Sequence, residues 1–263
     1  MKNDIKVYLK YIRMQFLSGL EYRGWWLMVL QVLFVCVTDP LPTLLMFLRM
    51  GSIGPWTWER ILLIYALAVT SFGLAESFCR GFDYFPWHML QSGNFDRVLL
   101  RPRSVALQVA GSYFHLHRLA RAASGLIVIF WVLGRMGVAL TAARLAIIIS
   151  ALAGGALMYS GVFVLSSGVA FFTVRALDWI YILTNASYQV TRAPAEHMPR
   201  LMLKVFTFVL PILVISYYPA AAVCGWGVGL WAGFMALPAG ILFMALSLWV
   251  WRFGVRRYRS TGS

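Results

Sequence analysis

The sequence is short of charge, and shortest of acid. Only 12% of its 263 residues are charged, and nine are Asp or Glu. A domain that folds in water usually carries roughly 25% charged residues. A polar surface around a water-excluded core is therefore not the architecture to expect. Lysine is equally scarce. Lys2, Lys6, Lys10 and Lys204 precede Asn3, Val7, Tyr11 and Val205, so no lysine is followed by the Ser or Thr of a phosphate-binding loop. This chain does not hydrolyse ATP by that route. There is no H-E-x-x-H and no G-x-S-x-G. His115 and His117 are two apart, about 200° around a helix, and cannot share a face as metal ligands. Cys36, Cys79 and Cys224 lie in or beside apolar segments without metal-ligand spacing and read as packing residues.

What is abundant is apolar length. Hydrophobic residues make up 61% of the chain, and its mean hydropathy is +0.75. A helix needs about 20 apolar residues to cross a bilayer. Six such stretches are predicted, over about 24–48, 61–79, 111–134, 141–171, 201–223 and 228–251. The first is interrupted by Asp39-Pro40-Leu41-Pro42, where a kink is expected. The third is apolar without interruption only from Ala122 to Leu133, about 18 Å of helix. It must extend back past Arg121, Arg118, His117 and His115, whose side chains then reach the interface or face protein or water.

Before the first span, Lys2, Lys6, Lys10 and Arg13 share one helical face, beside a stripe of Ile5, Tyr8, Leu9, Ile12 and Phe16. This suits an amphipathic helix over 1–23 lying in the headgroup layer. A cleaved leader is not expected, since the apolar stretch that follows is long and shows no small-residue cleavage site.

The net charge of +14 records orientation rather than nucleic-acid binding. With both termini cytoplasmic, only Arg49, Arg60, Arg135 and Arg144 fall outside, and the other nineteen of 23 basic residues fall inside. The expected fold is thus an all-α integral membrane protein with six transmembrane helices. One transmembrane domain fills 24–252, with a polar inner loop at 80–110 and a cytoplasmic tail at 253–263. In that loop Asn94 is expected to cap a short helix over Phe95–Leu100 that stops at Pro102.

Three acids sit within or near spans. Glu76 and Asp83 are seven apart on one face, and Asp39 lies in the first span. Such groups are costly in a membrane. Either Glu76 pairs with a base such as Arg118 or Arg121 and Asp83 is simply solvated, or these acids line a path for a cationic substrate. No chain of partners for Asp39 in a proton relay is visible. Gly225, Gly229 and Gly233 repeat every four residues, a spacing that lets helices pack closely.

The order of parts, and three local motifs, resemble a known family. The motifs are Gly93-Asn94-Phe95-Asp96-Arg97-Val98-Leu99-Leu100-Arg101-Pro102, Leu210-Pro211 with Tyr218-Pro219-Ala220, and Phe253-Gly254-Val255-Arg256-Arg257-Tyr258 with the closing Ser260-Thr261-Gly262-Ser263. They resemble membrane permeases of ATP-binding cassette exporters of the type-2 class, within a bacterial permease subfamily. The resemblance implies a non-catalytic permease subunit in the inner membrane. Separate cassette subunits would bind ATP and Mg, and this chain would hold no cofactor. Asn94 to Pro102 would couple to those subunits, with Phe95, Val98 and Leu99 as apolar anchors and Asp96, Arg97 and Arg101 setting register. The loop at 172–200 would make a second contact. A second permease chain, a different paralogue, would complete the path for a hydrophobic or amphipathic cargo. An ion-gradient transporter or a membrane enzyme acting on lipid are the alternatives. The first lacks a visible inverted repeat, and the second lacks a clustered acid, base or metal set.

Overall fold

The computed structural model describes residues 2–21, 23–52, 55–173, 190–191 and 198–259, and no strand occurs among them. The helices are α1 (Lys2–Glu21), α2 (Trp25–Thr38), α3 (Leu41–Met50), α4 (Trp58–Phe85), α5 (Phe95–Leu99), α6 (Val105–Gly111), α7 (Leu116–Arg135) and α8 (Ala142–Thr173). Then come α9 (Arg200–Lys204), α10 (Ile212–Ile215), α11 (Tyr217–Cys224), α12 (Leu230–Phe234) and α13 (Ala236–Arg257). Among the described residues five stretches are long and apolar enough to cross a membrane: Trp25–Arg49, Trp58–Leu90, His117–Arg135, Ala142–Thr173 and Leu230–Arg257. Arg200–Val209 and Ile212–Cys224 make a sixth when counted as one span bent by 69°.

The directions of these helices follow from their glycines. Gly154, Gly161 and Gly168 recur every seven residues on α8, as Gly240, Ser247 and Gly254 do on α13. A Cβ on Gly240 would fall on the Gly154 carbonyl. One on Gly161 would stand 3.2 Å from Ser247 Oγ, and one on Gly254 would stand 2.9 Å from the Gly168 carbonyl. The partners ascend together, so α8 and α13 run parallel. A seven-residue repeat keeps such a seam in register along the whole contact. Two parallel neighbours require a return crossing between them, and the bent pair at 200–224 is the described segment available to make it.

α4 lies at the centre. It runs parallel to α8, with Ser167 Oγ donating to the Phe82 carbonyl and Phe72 edge-on to Tyr159 at 5.1 Å. It runs antiparallel to α7: a Cβ on Gly73 would meet the Ala122 nitrogen at 2.7 Å, and Gly125 packs on Thr70. α1 packs on α6 at the end where α4 finishes. The Tyr8 hydroxyl donates to the Phe78 carbonyl at 2.8 Å, and burial pushes that hydroxyl's pKa up.

Several boundaries differ from the sequence reading. α4 runs on past 79 to Phe85 and through a π turn, Pro86–Leu90. The wider turn accommodates Pro86, which has no N–H for the α ladder. α7 starts at Leu116 rather than near 111. α13 stays helical to Arg257, into the stretch read as a tail. Asn94 makes no side-chain cap. Its backbone angles already match those of a helix, and its amide turns back to Ser92 Oγ at 2.9 Å and the His88 carbonyl at 3.4 Å. Most of the 172–200 loop lies outside the described residues.

Candidate functional site

Two constellations stand at the end of the bundle that holds α1, α5 and the finish of α13. The first is ionic and centres on Glu76, 1% exposed on α4. Its carboxylate accepts from Arg80 one turn on. Arg121 Nη1 lies 2.9 Å from it and Arg118 Nη1 3.3 Å, both reaching across from α7. Arg80 Nε also pairs with Asp83 at 3.1 Å. The stacking of Arg80 over Tyr84 and Phe163, and of Arg121 over Phe72, fixes the guanidiniums further. Among the described residues three arginines face two acids here, one positive charge in excess. This accounts for the weakly apolar start of the third span: its arginines turn inward to a carboxylate rather than outward to lipid.

Tyr84, His88, Tyr113, His115 and His117 form an aromatic fringe beside this cluster, with centroids 5.1–6.5 Å apart. Burial first, then the positive charge of Arg118 and Arg80, lowers the pKa of His115 and keeps it neutral. Among the described residues no group of three His, Cys, Asp or Glu is placed to hold a metal ion. Asp39 is not in this cluster. It closes α2, with its N–H on the Val35 carbonyl at 2.9 Å.

The second constellation is aromatic and holds the loop helix α5. Gly93, at φ 71, turns the chain into it. Phe95 is fully buried. Its ring lies 5.0 Å from Phe85, 5.0 Å from Tyr258, 5.4 Å from Phe171 and 6.3 Å from Trp251. These four rings come from the ends of α4, α8 and α13, so one side chain joins α5 to all three parallel spans. The neighbouring Asp96 acts on Tyr258, whose hydroxyl pKa is raised by burial first and by that carboxylate second. Gln108 Nε2 donates to the carbonyls of Val98 and Arg103, each at 3.4 Å. Arg101 donates to the Tyr11 hydroxyl at 3.0 Å, tying the loop to α1.

The face that α5 turns outward is different. Leu99 is 40% exposed and Leu100 84%, with Arg97, Arg101, Pro102 and Arg103 exposed around them. Phe95, which the sequence reading grouped with Val98 and Leu99 as an anchor, spends its ring inside the chain. The rings that bury it come from distant parts of the chain and were not visible in the sequence.

The glycines at 225, 229 and 233 do not form one helical face. Gly225 closes α11 at φ 72 and Gly229 precedes α12. A Cβ at either would meet nothing within 4 Å. Only Gly233 is tight, against Ile147. Close-packing glycines lie instead along the α8–α13 seam and between α4 and α7, and the signal of the first, two sets of small residues at seven-residue spacing, was present in the sequence.

No curated protein and no solved structure matches the chain. A family model described as ABC-2 family transporter protein matches residues 33–262, which takes in the later part of the first span, all the spans after it and both constellations. The chain belongs to the ABC-2 type transporter permease family.

Proposed function

We propose that this transporter membrane subunit is the permease of an ATP-driven exporter in a bacterial inner membrane. Its loop helix α5 takes the stroke of a separate cassette ATPase. One observation carries the reading: α5 is held from within by Phe95 while it presents Leu99 and Leu100 outward in a ring of arginines. An apolar pair inside a charged rim is how a docking surface combines anchoring with register. The partner's groove is therefore apolar at its floor and acidic at its rim. A push on α5 passes through Phe95 to the ends of α4, α8 and α13 together. ATP and Mg belong to the cassette, the basic end of the bundle faces the cytoplasm, and a second permease chain completes the path.

Ion-gradient coupling wants an intramembrane carboxylate that can release its partner. Glu76 is held by three guanidiniums, and this favours a structural clamp over an ion site. The same excess of positive charge argues against routing a cation past Glu76 and Asp83.

The test is co-purification. Leu99→Asp with Asp96→Arg in the full-length chain is expected to remain in the membrane at normal levels and to lose its cassette subunit. Retention of the cassette by that variant would overturn the assignment of the loop.

A further inference from the structure

The fifth crossing carries a break that a bilayer would penalise if it faced lipid. Its halves meet at 69°, and Pro211 brings no N–H to the ladder. The next N–H, that of Ile212, turns to the Leu210 carbonyl at 2.6 Å. The Val205 carbonyl keeps the Leu210 N–H, at 2.9 Å, but the carbonyls that follow it in the π turn (Val205–Val209) lose the donors that residues 211 and 212 would supply in a continuous helix. Yet this is an open face: Phe208 is 81% exposed and Val209 63%. The break, at 210–211, falls near the middle of a crossing that runs from 200 to 224. Irregular backbone at that depth persists only against protein or along a wetted cavity, because hydrocarbon satisfies no carbonyl.

A groove of about 570 Å³ lies beside the break. Thr207, Phe208 and Pro211 line it from the broken span, and Leu242, Phe243 and Leu246 line it from α13. That size fits a small organic molecule. Broken helices near the midplane are where transport proteins place exposed backbone polar groups against a ligand.

We propose that this groove is a cargo site, and that its ligand is a small amphipathic molecule with an aromatic or apolar body and at least one N–H or O–H donor. The apolar walls take the body. The Thr207 hydroxyl and the carbonyls released by Pro211 take the donor. A lipid acyl chain has no donor to offer, and a neighbouring helix keeps its own N–H groups in its own ladder. The proposal rests on the permease reading, but it is tested without the cassette.

The experiment uses the full-length chain in permeabilised native membranes, with Cys36, Cys79 and Cys224 replaced by alanine. Phe208→Cys is probed with a charged, membrane-impermeant maleimide. Ile127→Cys, on the exposed side of the unbroken α7, is the lipid-facing control. Phe208→Cys is expected to label at least tenfold faster than the control. N-phenyl-1-naphthylamine, an apolar aromatic amine with one N–H, is expected to slow that labelling. Its N-methylated analogue, without the donor, is expected to protect about tenfold less well, as is the amine itself when Pro211→Ala or Thr207→Val is added, on the scale of one hydrogen bond. Labelling no faster than the control would show a lipid-facing or covered groove and overturn the proposal. Fast labelling with no protection by the amine, or with equal protection by both compounds, would overturn it as a donor-reading site. Loss of the cassette reading in the co-purification test leaves these labelling results unaffected, so the two failures are distinguishable.

Discussion

The two flanks of α13 solve opposite problems. Toward α8 it is closed: Gly240, Ser247 and Gly254 meet Gly154, Gly161 and Gly168 so tightly that no added methyl has room. Toward the broken span it is open, with Leu242 63% and Leu246 56% exposed in a groove. Packing in a membrane has no hydrophobic drive between helices, so close backbone approach has to supply the adhesion. The closed flank, with the Glu76 cluster and the Phe95 box, makes α4, α7, α8 and α13 one unit. The open flank is where a second object can enter. A transport subunit needs both, one part that moves as a body and one that makes room.

The comparison is tested by substitutions that should separate the flanks. The largest effect is expected from Glu76→Gln, which leaves three arginines around a neutral amide. Breaking a buried ion cluster by removing one side costs about 3–5 kcal/mol. A large fall in the detergent ratio needed for half-unfolding would register it. If Glu76→Gln were neutral, the clamp would not be structural and an ion-handling role would return.

Phe95→Ala follows, at about 3–5 kcal/mol for a fully buried ring. Leu100→Asp, on the outward side of the same loop, should cost the isolated subunit under about 0.5 kcal/mol. Thermal unfolding of both variants, read beside cassette pull-down, sharpens the contrast between the inner and outer sides of α5. Gly240→Leu should cost about 3 kcal/mol by overpacking a backbone contact. Leu242→Ala, two residues on and about 200° around the helix, should cost less than about 1 kcal/mol. Comparable losses at the two positions would mean that the groove flank is closed as well.

The smallest effect is a pH dependence at the aromatic fringe. The folded pKa of His115 lies below its ordinary value. Its neutral form is therefore the stable one, and the stability it contributes is complete above about pH 6.5 and is lost as pH falls through the folded value. A shallow decline in thermal stability on acidification, flattened by His115→Gln, is the expected outcome.

Much of this was legible along the chain. Apolar runs of about 20 residues separated by basic loops dictate an all-helical membrane protein whatever the details of packing. The short inner helix was marked by Pro102 after it, while Asn94, expected to cap its start, does not. The pairing of Glu76 with Arg118 and Arg121 was foreseeable as one of two readings, because a carboxylate at that depth demands a partner. The arrival of Arg80 and Asp83 on the same cluster is plain helical spacing.

What the sequence could not decide was which side of each helix met which neighbour. Gly225, Gly229 and Gly233 looked like a seam, but the chain leaves α11 and enters α12 between them. Their spacing therefore never became a face. Phe95 looked like an anchor for a partner and became the bolt that joins α5 to three spans. Pro211 was visible inside the fifth span, but neither the 69° break nor the groove it walls was, since the other wall comes from α13 some thirty residues on. By itself the sequence determined solvent, helical secondary structure and the apolar runs long enough to cross, because these depend on local composition and length. Only the tertiary structure decided which glycines touch, which charges are neutralised and which flank stays open, because those depend on long-range registers that no local pattern encodes.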